Sequence, residues 1–343
     1  ASYHGLAGKA GSQSVANCGS CHGYHNILPS KDPKSTINAK NLPQTCGKCH
    51  PGAGSRFALG PIHWVAGGQE PAGVRWVRSL YLGMIPATIF LMFVHNLADF
   101  VRKVRRLRFS QAAGIPGKTG QPIGAAEIRM YTWERIQHLL LLTSFSVLVW
   151  TGFALKYPDQ WWARPLLMWE NVFPLRATVH RIAGAVLIGV ALLHIGTLVA
   201  SRRLRQHWME LWPRIGDARE GSLNLMYLLG LRKQKPKLSA HGYVEKAEYW
   251  AVVWGTAVMA ITGLMLWAVN YTLAWLPKSW LDVATSIHFY EAILATLSIV
   301  VWHFYFVIFD PEVYPLDTAF INGRSPRRRD GHHPHRDETK HPA

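Results

Sequence analysis

The 343-residue sequence predicts an all-α membrane protein, a five-helix transmembrane bundle with a small, loop-rich domain ahead of it. Three observations carry that expectation. Five apolar stretches are each about 20 residues or longer, the length that crosses a bilayer's hydrocarbon core. Charged residues are only 17% of the chain while 15 tryptophans are present, a composition suited to lipid with aromatic belts at its surfaces. Basic residues also collect on one side of the predicted spans, as they do in membrane proteins.

The first element, residues 1–75, is rich in Gly, Pro, Lys and Asn and too poor in apolar side chains to build an ordinary core. It holds all four cysteines, in Cys18-Gly-Ser-Cys21-His22 and Cys46-Gly-Lys-Cys49-His50. Cys-x-x-Cys-His is the attachment signal for c-type haem. The two thiols form thioether bonds to the porphyrin and the adjacent imidazole reaches the iron. Two covalent haem c groups are therefore expected, and they would supply the missing core. A zinc ribbon competes for the same cysteines. Its usual gap of roughly 15–20 residues is shorter than the 24 found here, and zinc gives no reason for a histidine after both pairs. Methionine as second axial ligand would raise the potential, but the first methionine is Met84, inside a span. The distal ligands are therefore sought among His4, His25 and His63. His25 is too close to His22 to cross its own haem and is assigned to the second, leaving His4 or His63 for the first.

The spans are expected near 79–99, 133–155, 178–200, 249–270 and 283–309. Arg102, Lys103, Arg105, Arg106 and Arg108 follow the first, Arg202, Arg203 and Arg205 the third, and Arg324 with Arg327, Arg328 and Arg329 the fifth. Loops 156–177 and 271–282 hold few basic residues. The positive-inside bias makes the ends of spans 1, 3 and 5 cytoplasmic. The N-terminus then lies outside, where haem c attachment independently requires it, and a removed signal peptide is inferred. The net charge of +17 is accounted for by these loops and anionic lipid, without nucleic acid. Residues 76–110 are read as an extra span with a basic linker, 111–310 as the main membrane domain, and 311–343 as a disordered cytoplasmic tail. Trp161, Trp162 and Trp169 are read as interfacial anchors.

Polar residues within spans are costly and usually functional. The spans hold His95, His138, His180, His194, His288 and His303. His180 and His194 are 14 residues apart and His288 and His303 are 15 apart. At 1.5 Å per residue, these gaps are about 21–23 Å along one helix face. That spacing suits two non-covalent haem b groups held by imidazole from both sides. His180 and His288 can share one; the other takes His303 with either His138 or His194.

Residues 130–310 resemble the cytochrome b gamma subunit of membrane-bound formate dehydrogenase, related to the b subunits of nickel–iron hydrogenases. The resemblance rests on Arg135-x-x-His138 leading to Thr151-Gly152-Phe153, then Val179-His180-Arg181-Ile182-Ala183-Gly184. It continues through Glu248-Tyr249-Trp250 leading to Thr262-Gly263-Leu264, then Ile287-His288 and Trp302-His303-Phe304-Tyr305. It implies a four-helix cytochrome b core with His138 paired to His303 and His180 to His288. The chain departs from the pattern in its added N-terminal span and dihaem domain, in His194, and in one extra residue between His288 and His303. A π-bulge would absorb that residue. A third haem b between His95 and His194 is the less favoured reading of those two side chains.

Among the motifs of this chain there is no nucleotide loop, molybdenum motif or iron–sulfur cysteine set. A ladder of haems needs a two-electron partner in the bilayer, and that partner is expected to be a quinone or quinol. The resemblance puts its site at His241, Tyr243 and Glu245. The expected role is a respiratory electron-transfer subunit of the bacterial inner membrane, working between quinol and a periplasmic redox protein or multihaem cytochrome within a multisubunit complex. Quinol oxidation is the favoured sense. A quinone-reducing anchor for a periplasmic dehydrogenase or hydrogenase, a haem-free protein with an outer zinc ribbon, and a metal reductase with b haems alone are the alternatives.

Overall fold

The computed structural model describes residues 4–5, 8, 15–51, 54, 70–112, 130–169, 173–236 and 242–324. In chain order the helices are α1 (Cys18–His22), α2 (Leu42–Gly47), α3 (Ala72–Ala112), α4 (Thr132–Lys156), α5 (Arg164–Leu167) and α6 (Leu175–Ala200). They continue with α7 (Arg202–Met209), α8 (Ile215–Leu228), α9 (Tyr243–Trp267), α10 (Val269–Trp275), α11 (Lys278–Ser298) and α12 (Ala319–Asn322). Two π-helical turns, Ile299–His303 and Tyr305–Phe309, prolong α11. No strand forms among the described residues. Among the described residues, five helices are long and apolar enough to cross a membrane: α3, α4, α6, α9, and α11 with its π turns. The predicted fold class, all-α with five spans, is the one observed. Large apolar side chains such as Phe90, Leu192, Trp254 and Ile261 lie exposed on these helices, as lipid-facing residues do.

The chain forms two compact units, and the long helices α3, α4, α6, α9 and α11 with its π turns contribute to both. The first unit comprises Ala1–Ile85, Leu140–Ala191 and Gly255–Thr296. Its N-terminal segment is held by polar side chains bonded to backbone rather than by an apolar core. Asn17 caps α1, accepting from Ser20 N at 3.0 Å while Ser20 Oγ accepts from Asn17 N. Gly23, at φ +74°, stops the helix by donating to Gly19 O. Thr36 donates to Cys21 O, Thr45 donates to Thr36 O, and Asn41 donates to both Pro33 O and Ser35 O. The first cysteine motif is thus tied to the helix that carries the second. In the membrane part, Ala154, Ala163 and Leu166 form a small core with Trp162. Trp150 donates to Trp162 O at 3.0 Å, whereas Trp161 and Trp169 remain exposed.

The second unit comprises Pro86–Leu139, Leu192–Trp254 and Leu297–Ala343. Its α3 segment is fastened by ionic contacts: Lys103 lies 2.7 Å from Asp99 and 2.8 Å from Asp310, whose side chain is fully buried. Gly323 fixes the start of α4 by backbone contact. At φ +81° it closes α12, its carbonyl accepts from Met130 N, and a Cβ there would come within 2.6 Å of Met130 O. Lys246 and Asp217 form a 2.6 Å ion pair at side-chain exposures of 6% and 15%.

Candidate functional site: paired imidazoles in the spans

In the first unit, the His180 and His288 rings face each other with centroids 6.3 Å apart. Each is held by a threonine of the preceding long helix. The Thr151 hydroxyl donates to Val147 O at 2.7 Å, as a carbonyl can only accept, so its oxygen must accept from His180 Nδ1 at 2.8 Å. Thr262 does the same, donating to Val258 O at 2.7 Å and accepting from His288 Nδ1 at 2.9 Å. Both imidazoles are therefore Nδ1–H tautomers with a bare Nε2 lone pair, the form that binds metal. The glycines after these threonines give the rings room: a Cβ at Gly152 would lie 3.4 Å from His180 Cε1, and one at Gly263 3.3 Å from His288 Cε1. Arg176, buried, reaches Thr151 O at 3.5 Å and supplies positive charge beside this pair.

In the second unit, the His138 and His303 rings stand 6.4 Å apart. His303 Nδ1 lies 3.5 Å from Glu248 Oε1. His303 closes the π turn Ile299–His303. Such a turn inserts one residue without breaking the helix and re-aims the side chains after it, so the extra residue between His288 and His303 is taken up here. These are the two pairs that the resemblance implies.

The geometry can be tested against the group it would hold. Two imidazoles on opposite faces of one metal ion bond at about 2.0 Å, and the nitrogen lies roughly 1.1–1.2 Å from the ring centre, giving centroids about 6.3 Å apart. Both pairs meet that distance. The donor set, two neutral imidazoles, is also the set haem iron accepts. The residues fit haem b.

An internal repeat relates these parts, and only the structure brings it out. Thr132–Lys156 and Tyr243–Trp267 are each 25 residues long and 111 positions apart at both ends (132 to 243, 156 to 267). That offset maps Thr151-Gly152 onto Thr262-Gly263 and Gln137 onto Glu248. Correspondingly, His194 Nδ1 meets Gln137 Oε1 at 3.2 Å, as His303 meets Glu248. The counterpart of His138 is Tyr249, whose hydroxyl lies 3.3 Å from His194 Nε2. This second copy is closed by a direct hydrogen bond. Where an imidazole faces His303, a tyrosine meets His194, and the Trp208 ring packs edge-on against it.

In the N-terminal segment, α1 carries Cys18, Cys21 and His22, while Cys46, Cys49 and His50 span the end of α2 and the turn after it. Burial, then the neighbouring Cys49 and Cys18, pushes the Cys21 thiol up; burial, then Cys21 and Cys49, does so for Cys46. Among the described residues no group of three or more His, Cys, Asp and Glu is arranged to hold a metal ion. The expected partner of His50 was His25. The structure instead sets His4 beside it, ring centroids 6.1 Å apart, with Asn270 Oδ1 3.3 Å from His50 Nδ1. His25 is exposed, because the turn at Gly23 directs the chain away. Burial, then the nearby His50, lowers the pKa of His4. His63 and His241 lie outside the described residues.

Of the remaining expected quinone residues, Glu245 sits in the first turn of α9 and Tyr243 at its start. Tyr243 belongs to a polar network that no sequence spacing announces. Asn224 Nδ2 donates to Tyr243 Oη at 2.9 Å, and Tyr243 Oη lies 2.6 Å from His95 Nε2. His95 Nδ1 is 3.3 Å from Asn96 Oδ1, and Asn96 Nδ2 donates to Val301 O.

The prokaryotic cytochrome b561 family matches residues 129–319, more than half of the chain. No curated protein and no solved structure matches it significantly. The matched segment contains all four paired span histidines and both threonine–glycine steps, and leaves α3 and the cysteine motifs outside. The chain belongs to the prokaryotic cytochrome b561 family and is a multi-pass bacterial membrane cytochrome b, binding haem b and transferring electrons.

Proposed function

We propose that this protein is the membrane subunit of a respiratory oxidoreductase, carrying electrons from quinol to a periplasmic redox protein or multihaem cytochrome. The observation that carries the reading is the spacing of two imidazole pairs, 6.3 and 6.4 Å, on helices that cross the membrane. His180 with His288, and His138 with His303, hold two b haems. Cys18, Cys21 and His22, and Cys46, Cys49 and His50, attach two c haems, with His4 as second ligand on the His50 side. When bound, the haems supply reversible one-electron chemistry at iron. The chain's own part is to fix the imidazole tautomers through Thr151 and Thr262 and to keep the ligands in low-dielectric surroundings.

Residues 1–75 form the periplasmic domain, α3 is an added span, 111–310 is the cytochrome b domain, and the C-terminus is cytoplasmic. The basic runs after alternate spans support this orientation in the inner membrane. Tyr243, half-buried among polar contacts at the head of α9, marks the quinol site. Reduced spectra of the purified protein should contain b and c bands, and acid–acetone extraction should leave half of the haem attached. A colourless preparation, or one containing zinc, would refute the proposal. Quinol that reduces none of the b haem would refute the quinone assignment.

A further inference from the structure

The helix added before the family core carries a file of polar groups down one face. His95, Asp99 and Lys103 follow at intervals of four, the spacing that stacks side chains along a helix. Polar groups inside a span are expensive to keep unless they serve a purpose. Every one of these is engaged. Asn224 donates to Tyr243, so the tyrosine hydroxyl keeps its own proton to donate to His95 Nε2 at 2.6 Å. His95 Nδ1–H in turn donates to Asn96 Oδ1, whose amide nitrogen is fixed by Val301 O. One turn on, Asp99 accepts from Tyr305 Oη at 2.6 Å and pairs with Lys103 at 2.7 Å. Lys103 pairs with buried Asp310, and Arg106 with Glu312 ends the series. Trp302 and Phe306 pack on the His95 ring, with centroids 4.9 and 6.3 Å away. His95 thus presents a bare Nε2 to a hydroxyl, with a carboxylate one turn away to steady a positive charge. That is the arrangement of a proton acceptor.

We propose that His95 and Asp99 form the proton exit of the quinol site at Tyr243, a relay supplied by α3 and absent from the matched family segment. The inference rests on the quinol reading above. A quinol hydroxyl taking the place of the Tyr243 hydroxyl at His95 breaks its O–H bond. The proton goes to His95 Nε2, and one electron leaves to an acceptor of the ferric-haem class. His95 passes the proton toward Asp99 and the basic end of α3, and a repeat with the second O–H yields quinone, two protons and two electrons.

The test uses the full haem-loaded protein. Binding of a hydroxyquinoline N-oxide, a fluorescent quinol mimic, is followed by quenching, and b-haem reduction by duroquinol by stopped flow. His95→Gln keeps a hydrogen-bonding side chain that cannot take a proton. It should retain haem content and bind the mimic within about two-fold of wild type, while reduction slows by about 100-fold, the scale of lost general-base catalysis. Asp99→Asn should slow reduction by about ten-fold with mimic binding unchanged. Added imidazole should restore part of the rate in His95→Ala. If His95→Gln is reduced at the wild-type rate, the relay is refuted and the quinol reading stands. If the wild type neither binds the mimic nor is reduced by duroquinol, the quinol reading itself falls.

Discussion

Replacing Thr151 with valine removes one oxygen and keeps the shape of the side chain. Thr151 is fully buried, and its hydroxyl accepts from His180 Nδ1–H at 2.8 Å. Valine leaves that N–H buried without this partner, which costs about 1–3 kcal/mol. The Val147 carbonyl loses only a second donor. Changes in the groups that orient a metal-bound histidine typically weaken metal affinity by about 10–100-fold, which is about 1.4–2.7 kcal/mol. The two routes agree. Thr151→Val should therefore lose haem b to a haem-scavenging protein about 10–100 times faster than wild type, read as the fall of one b signal per mole of protein. Thr262→Val, acting on the opposite ligand through a 2.9 Å bond, should match it. Thr151→Ser, which keeps the hydroxyl, should behave as wild type. Wild-type haem retention in Thr151→Val would refute the tautomer argument and the role given to both threonines.

His138→Ala and His303→Ala should each remove the same b signal and leave that of His180 and His288, whereas His194→Ala should remove neither; a loss of the b signal in His194→Ala would reverse the assignment. Asp217→Asn should destabilise the protein by about 3 kcal/mol, because it leaves the Lys246 ammonium buried without its counter-ion. Burial alone would raise the Asp217 pKa, but Lys246 and the Arg214 backbone N–H hold it below the usual value. A lowered carboxyl pKa stabilises the fold above the unfolded value of about 3.9, and that contribution fades as pH falls through the folded value. The melting difference between Asp217→Asn and wild type should thus be full at neutral pH and close in acid; a gap that persists in acid would count against the pair.

The five spans were legible because an apolar run of membrane length is rarely tolerated in a water-soluble chain, but all of them start earlier than hydropathy places them, three by five residues or more. α3 begins at Ala72 rather than 79, α9 at Tyr243 rather than 249 and α11 at Lys278 rather than 283. Those first turns are charged, which hides them from a hydropathy reading. Each is stabilised by a partner: Arg78 by Glu70 at 2.5 Å, Lys246 by Asp217, and Lys278 by Asp282 at 2.7 Å. The threonine–glycine steps could be seen in the sequence, but their contacts with histidines 29 and 26 residues later could not. The repeat was concealed because Tyr249 stands where a second His138 would be, and because the π turn changes the spacing of the last two ligands. That His4 and not His25 lies beside His50 is a matter of chain placement that sequence separation does not encode.

The two imidazole pairs differ in what stands behind them. His180 and His288 lean on neutral hydroxyls, whereas His303 has a carboxylate, Glu248, at its back. An imidazole drawn toward an anion pushes more electron density onto its iron and favours the oxidised state. A haem iron held by His303 would accordingly be the harder of the two to reduce. The protein would then set the two potentials apart through the oxygen chemistry behind the ligands, with the ligand types themselves left identical.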